Sequence, residues 1–457
     1  MKRLSYFLIS LLLGVGLVTA QTIDEKLLDH FRKVHAQETP KFIINAVANN
    51  NDINEMARNT ARVGQIDQHF AVKLDIQGIT DQKSTGRCWL FTGLNVIRQK
   101  VRENLNLETF EFSENYNFFY DQLEKANLCL EGIIETRDKP RENRYVDWLF
   151  GNALGDGGVW NMMVDIVEKY GVVPKEIMPD TKHGASTSTM RRMVRRKIRE
   201  AAIRLRQMHE QGENMEALRQ RKEEMLSDIY RLLAIHLGEP PETFRWRYKD
   251  KDGNLSVYKT YTPQSFFSKV VDVNLRDYVM LMNDPTRAYD QLYEIDRDRN
   301  LQEGTNWTYV NLTSTELKAF AKKSLLAGEA MYFSCDVGKY LDRDVGILDA
   351  DLYDYESLYS IEFTLNKAER ITAKESASSH GMALVGVDTL VDGTTAKWLL
   401  ENSWGSSTGH EGYLIMTDQW FDEYGFRLVV HKNFLSPKVL EIVEQKPTLL
   451  PPWDAMF

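Results

Sequence analysis

The spacing of apolar residues changes on either side of a polar loop at residues 80–87. Before the loop, a period of two residues, typical of a short half-buried strand, runs through Phe70, Val72, Leu74 and Ile76. After the loop, a period of about 3.6 residues, typical of a buried helix, runs through Leu90, Phe91, Leu94, Ile97 and Val101. The chain must therefore combine sheet and helix, and Cys88 is predicted in the first turn of the helix.

Cys88 in this position is a candidate nucleophile. A thiol attacks a carbonyl as its thiolate, and a helix N-terminus or a nearby imidazolium lowers its pKa. His380 stands directly before a predicted buried strand at residues 381–387, and Asn402 stands at the end of the next predicted strand. The amide oxygen of Asn402 can accept the second imidazole N–H and hold the ring toward the sulfur.

Two further residues fit the same chemistry. Gln82 lies six residues before Cys88 and can place an amide donor beside the Cys88 N–H, where an oxyanion develops. Trp404 can shield the histidine–asparagine hydrogen bond from water. Each residue taken alone is more often structural: an inert buried cysteine, a packed histidine, a turn asparagine or a solvated glutamine. The chain order Gln, Cys, His, Asn, each on a suitable element, favours the catalytic interpretation.

The sequence around these residues, and along most of the chain, resembles the bleomycin hydrolase and aminopeptidase C branch of the papain-like cysteine peptidases. The similar segments cover nearly all of residues 21–457 and are 82–91, 156–158, 167–172, 237–241, 335–339, 380–387 and 401–405. The resemblance implies Cys88 as nucleophile, His380 as general base and acid, Asn402 as the orienting residue and Gln82 as oxyanion donor. It implies a cysteine aminopeptidase that acts through a thioester and needs no metal or organic cofactor.

The implied fold class is α+β: a papain-like fold with a helical half, an antiparallel β half, an inserted helical hairpin and a C-terminal arm. The hairpin is also predicted by the long, charged helical pattern from Met190 to about Leu237. The predicted parts are a signal peptide at 1–20, and a peptidase at 21–457 with a helical half at 65–185, an insertion at 186–260, a β half at 305–445 and an arm at 446–457.

The resemblance also implies a homohexameric barrel whose C-terminal arm lies in the substrate groove. There a terminal carboxylate selects a substrate ammonium. Trp404 and Phe457 are therefore expected to contact substrate. The family pattern has proline at the position of Ala455 and continues past the position of Phe457, so we expect more space in the groove. Release of two-residue units, or broad endopeptidase action, is the alternative to single-residue release.

The first twenty residues read as a secretory signal peptide. Lys2 and Arg3 precede an apolar run from Leu4 to Val18, and small residues lead to a predicted cleavage before Gln21. An uncleaved anchor is the alternative. The prediction is an exported protein, in a bacterial periplasm or outside the cell, without a membrane segment in its mature form. Export would permit a disulfide between Cys129 and Cys335, for which the sequence gives no distance.

Composition argues against a dedicated nucleic-acid-binding protein. Lys and Arg number 57 against 66 Asp and Glu, a formal charge of −9. One basic run remains, formed by Arg191, Arg192, Arg195, Arg196, Lys197, Arg199, Arg204 and Arg206. Nearby glutamates and the lack of interleaved aromatic residues favour a solvated helix face. A nucleic-acid-binding scaffold is therefore kept only as the disfavoured alternative, and peptides are the expected substrates.

Overall fold

The computed structural model describes residues 22–456. The predicted signal peptide and Phe457 lie outside these residues. The helices are α1 (Glu25–Glu38), α2 (Lys41–Ala48), α3 (Ile53–Ala57), α4 (Thr60–Val63), α5 (Cys88–Leu105), α6 (Glu114–Glu135), α7 (Arg144–Gly151), α8 (Trp160–Tyr170), α9 (Ser188–Glu210), α10 (Met215–Leu237), α11 (Pro263–Phe266), α12 (Ser314–Leu326), α13 (Tyr355–Tyr359), α14 (Lys367–Thr372), α15 (Asp418–Tyr424) and α16 (Pro437–Val443).

The strands are β1 (Val72–Lys73), β2 (Phe244–Trp246), β3 (Lys259–Tyr261), β4 (Tyr278–Met282), β5 (Gln291–Ile295), β6 (Thr308–Asn311), β7 (Met331–Cys335), β8 (Leu341–Asp342), β9 (Ile347–Leu348), β10 (His380–Thr389), β11 (Thr395–Glu401), β12 (Tyr413–Thr417), β13 (Gly425–His431) and β14 (Thr448–Leu450). Helices and strands are thus both abundant, and the predicted α+β class is confirmed. Among the described residues, no helix is both long and apolar enough to cross a membrane.

The chain forms two compact units. The smaller unit contains α1 to α3 and the segment Asp354–Phe363, and the larger unit contains Asn59–Tyr353 and Thr364–Phe457. Within the smaller unit, the Asp354 N–H donates to the Ala57 carbonyl at 2.7 Å. The sheet, the long helices and every candidate catalytic residue belong to the larger unit.

One sheet of twelve strands dominates the larger unit. Its path runs β14-β5-β6-β4-β13-β7-β10-β11-β12-β9-β8, with β1 attached to β10. Most pairs are antiparallel, as predicted, while β4 with β6, β5 with β14 and β9 with β12 are parallel. Strand β10 pairs with β7 on one side and β11 on the other, and β-bulges interrupt its register with β11 between Leu384 and Gly386 and between Asp388 and Thr389.

The strand predicted around residues 70–76 is shorter than its alternating pattern suggests. Only Val72 and Lys73 form β1, which pairs with Val387 and Gly386 of β10. Strand β7 pairs with β10 only as far as Leu384. The part of β10 after Leu384 is therefore the only part on that side that can pair with β1.

The long helix α5 packs against β10 and buries most of its length from Trp89 to Arg102. Helices α9 and α10 pack against each other and against α6, within the stretch where the sequence predicts a helical hairpin. Because α5 begins at Cys88 and β10 begins at His380, the packing of α5 against β10 brings two distant candidate residues together where β10 begins.

Candidate active site

Three of the site residues predicted from the sequence line one cavity. A cleft of about 560 Å³ is lined by Gln82, Cys88 and His380, together with the glycine-rich loop at residues 155–158. Asn402 lies behind the histidine and is 1 % exposed. The structure thus assembles, around one space, candidate side chains that are up to 298 residues apart (380 − 82).

Cys88 is the first residue of α5, as its spacing predicts. Burial raises the pKa of its thiol. The charge and hydrogen bonding of His380, together with the backbone N–H groups of Gly381 and Trp89, lower the pKa by more than burial raises it, so the pKa lies below the ordinary value of a thiol. The thiolate is therefore favoured where the helix N-terminus and the imidazole meet.

His380 is held by an amide. Its Nε2 lies 2.8 Å from Asn402 Oδ1, and the same oxygen accepts the backbone N–H of Ser403 at 2.8 Å. Because an amide oxygen only accepts, Nε2 must carry a proton, which leaves Nδ1 to exchange a proton with the sulfur. The Trp404 indole stacks on the imidazole with centroids 4.8 Å apart, and Arg343 lies over that indole at 4.7 Å.

Hydrogen bonds hold both the nitrogen and the oxygen of the Gln82 side-chain amide. Nε2 donates to the Thr85 carbonyl at 2.7 Å, and Oε1 accepts from Ser403 Oγ at 2.7 Å. One N–H of the amide is left for an oxyanion in the cavity. Sequence reasoning missed Ser403 as the residue that sets this orientation, although it directly follows Asn402.

Two polar contacts missed by sequence reasoning, a set of hydrogen bonds and a buried ion pair, also position the site. Asp156 accepts hydrogen bonds from Thr187 Oγ1 at 2.5 Å and the Gly86 N–H at 3.4 Å, which ties down the loop before Cys88. Arg98 of α5 donates to Glu401 of β11 at 2.5 Å, and both side chains are almost fully buried. This second contact joins the helix of the thiol to the strand that leads to Asn402.

The C-terminal arm contacts a residue that lines this cavity. Met456 is 1 % exposed, and its carbonyl accepts a hydrogen bond from Arg427, which lines the cleft. Asp454 binds Arg287 at 2.5 Å, and Trp453 lies 4.0 Å from the Arg144 guanidinium. Phe457, predicted to contact substrate, lies outside the described residues.

The remaining cysteines are not bridged. Cys129 and Cys335 are both buried and free, and burial raises the pKa of the Cys129 thiol to about 12. Within residues 22–456, no group of three or more His, Cys, Asp or Glu side chains could hold a metal ion.

The basic run on α9 binds groups of the protein itself. Arg195 donates to the Leu154 carbonyl at 2.5 Å, Arg199 donates to the Phe150 carbonyl at 3.0 Å, and Arg191 pairs with Asp156 at 3.0 Å. These partners favour a structural role over phosphate binding.

Comparisons with known proteins agree with this geometry. The chain matches the Peptidase C1-like family over residues 22–457. It is 36 % identical to aminopeptidase C of Listeria monocytogenes, over 94 % of this chain and 97 % of that protein. It is 38 % identical to human bleomycin hydrolase, over 95 % and 97 % of the two chains. The crystal structure of PepW from Lactobacillus rhamnosis superposes with a TM-score of 0.92 at 37 % identity, covering 95 % of this chain and 98 % of PepW. The chain therefore belongs to the Peptidase C1-like family and is a papain-like cysteine aminopeptidase.

Proposed function

We propose that this aminopeptidase cleaves peptides next to their free N-terminus through a thioester on Cys88. The observation that carries the proposal is the hydrogen bond between His380 and Asn402 at the rim of the cavity that holds the thiol. It fixes the imidazole tautomer that acid–base transfer to and from sulfur requires.

The proposed chemistry has two steps. The Cys88 thiolate attacks the peptide carbonyl, and the oxyanion is stabilised by the Cys88 N–H and the free amide N–H of Gln82. His380 then gives its Nδ1 proton to the leaving amine, which departs with its electron pair as the C–N bond breaks. In the second step, water attacks the thioester with His380 as base, and the acid product leaves as the thiolate is restored.

Digestion of a mixed peptide pool tests the cleavage register. We expect mass spectrometry to show losses of single N-terminal residues and no cutting of N-acetylated peptides. Losses of two residues would favour the dipeptidyl alternative, and cuts in acetylated peptides would favour endopeptidase action. The same digestion with Cys88→Ala separates this activity from contaminating peptidases.

Gln82→Ala is expected to lower kcat by about 10²-fold with a small change in KM, because the lost N–H acts on charge that develops only in the transition state. Steady-state kinetics on an aminoacyl coumarin amide measures both constants. Gln99→Ala, which removes a glutamine from α5 that binds Glu103 on the surface, is the matched control. A rise in KM with unchanged kcat would instead place Gln82 in ground-state binding.

We also propose assembly as a homohexamer. The resemblance to aminopeptidase C and bleomycin hydrolase supports it. The helical pair α9 and α10 also exposes two large apolar side chains that a subunit contact would cover, Ile203 at 43 % and Ile235 at 72 % exposure. Native mass spectrometry is expected to give six times the monomer mass. A monomer at micromolar concentration would contradict the proposal.

Export is proposed from the sequence of residues 1–20 alone. Cell fractionation followed by N-terminal sequencing of the mature protein is expected to find Gln21 as its first residue, in the periplasm or medium. Full-length protein in the cytoplasm would contradict export, and full-length protein in the membrane fraction would favour the uncleaved anchor.

A further inference from the structure

The cavity that contains Cys88 also contains a buried acid that the mechanism above does not use. Asp298 lines the cavity and is only 3 % exposed. Its Oδ2 is fully covered and has no hydrogen-bond partner among the described residues. Oδ1 is not among the fully covered atoms, and a nearly buried carboxylate without a donor costs free energy, so a ligand in the cavity that donates to Oδ1 is favoured.

The backbone around Asp298 is held rigidly. Its carbonyl accepts the Trp307 N–H and Asn161 Nδ2, both at 2.9 Å. Arg297, the preceding residue, adopts a left-handed φ of 63°, which is uncommon for a residue other than glycine. Asn300 then donates to Asp121 Oδ1 at 3.0 Å. These contacts fix the position of the carboxylate before any ligand arrives.

The two arginines that flank Asp298 also line the cavity, and both bind other groups, although Nη1 of Arg297 has no hydrogen-bond partner among the described residues. Arg297 pairs with Glu135 and donates to Tyr145 Oη at 2.8 Å. Arg299 donates to Asn306 Oδ1 at 2.6 Å and to the Leu301 carbonyl at 3.1 Å.

Three other charged side chains, on neighbouring parts of the fold, shift the pKa of Asp298. Arg427 of β13 and Lys125 of α6 favour its ionised form, and Asp454 of the arm opposes it. Arg427 donates to the Met456 carbonyl, and Lys125 binds Asp121 at 2.8 Å and the Gly157 carbonyl at 2.6 Å. Among the described residues, no cation forms an ion pair with Asp298 within 4.0 Å. Burial raises its pKa to about 6, so the carboxylate is mostly ionised at neutral pH.

We propose that Asp298 binds the free α-ammonium group of the peptide substrate. An aminopeptidase must distinguish a free N-terminus from an acylated one, and a fixed anion in the cleft of the nucleophile makes that distinction directly. An ammonium group supplies both the positive charge and the N–H donors that the carboxylate lacks. This inference rests on the aminopeptidase reaction at Cys88. It adds a residue that determines specificity and that is separate from the C-terminal arm.

The test compares leucyl-aminomethylcoumarin with its 4-methylpentanoyl analogue, which lacks only the amino group. The variant Asp298→Asn is expected to lower kcat/KM for the leucyl substrate about 10-fold or more, mainly through KM, and to change kcat/KM for the desamino analogue less than about 2-fold. Asp296→Asn is the matched control, because this acid lies in the same turn but does not line the cavity. Asp298→Glu, which keeps the carboxylate, is expected to recover part of the preference, and the melting temperature of each variant reports folding.

The pH profile provides an independent readout. Asp298 gains a proton as the pH falls through about 6, whereas the substrate amine stays charged, so KM of the wild type for the leucyl substrate is expected to rise below that pH. This rise should be absent in Asp298→Asn.

An unchanged preference for the leucyl substrate in folded Asp298→Asn would overturn the proposal. So would a wild type that hydrolyses the two substrates equally well. Failure of the reaction mechanism itself has a different signature, namely activity on the leucyl substrate that survives in Cys88→Ala.

Discussion

Replacing Cys88 with alanine is expected to lower kcat/KM for peptide hydrolysis by at least about 10⁴-fold, because the covalent route is lost when the nucleophile is removed. The oxyanion donors and the substrate contacts stay in place, so peptide binding should persist. Kinetics on the leucyl coumarin amide, together with equilibrium binding of an uncleaved peptide, separate the two effects.

Cys129→Ala is the control for this prediction, since it removes a buried thiol of the same chain. The pKa of Cys129 is raised to about 12, so this thiol is almost entirely protonated at neutral pH. Brief iodoacetamide treatment is expected to modify Cys88 selectively and to abolish activity in wild type and Cys129→Ala alike. Hydrolysis that survives complete alkylation of Cys88 would refute the thioester mechanism.

Replacing Arg98 with methionine is expected to lower the free energy of unfolding by about 3–5 kcal/mol, because Glu401 would lose its partner inside the protein. The two side chains are 2 % and 0 % exposed, so solvent cannot replace the lost contact. Denaturant unfolding measures the change. Arg221→Met removes an exposed pair with Glu224 and is expected to cost less than about 1 kcal/mol.

The loss in Arg98→Met should depend on pH with a definite sign. Burial raises the pKa of Glu401 to about 7 in the folded protein, above its ordinary value. Proton uptake therefore stabilises the fold at low pH, and this contribution is lost as the pH rises through about 7. We expect Arg98→Met to cost less at pH 5, where Glu401 is neutral, than at pH 8. An equal cost at both values would show that Arg98 acts through packing alone.

The sequence predicts the local parts of the site well and its long-range contacts poorly. Periodicity places Cys88 at the start of a helix and His380 at the start of a strand, because each signal lies within ten to fifteen adjacent residues. The hydrogen bond between the side chains of Ser403 and Gln82 joins residues that are 321 positions apart in the sequence. The Arg98–Glu401 pair joins residues 303 apart. Such partners depend on the order of strands in the sheet, which no local pattern encodes.

Asp298 illustrates the same limit. It lies in a polar turn, Asp296 to Asn300, which resembles any solvated loop in sequence. The pairing of β5 with β6 and the contact of Asn161 of α8 with the Asp298 carbonyl, which join parts of the chain distant in sequence, help to bury it. Similarly, the shortened β1 reflects how much of the β10 edge its neighbours already occupy.

The bulges between β10 and β11 have a consequence for how the enzyme tolerates change. Side chains alternate between the faces of a strand, so displacing one strand by a single position would send Asn402 away from the imidazole. The irregularities at Leu384 and Asp388 separate the catalytic end of this hairpin from its turn at residues 390–394. A change in the length of that exposed turn therefore leaves the position of Asn402 unaltered, whereas a one-residue deletion within β11 would move Asn402 and also turn the buried side chains of β11 to the opposite face.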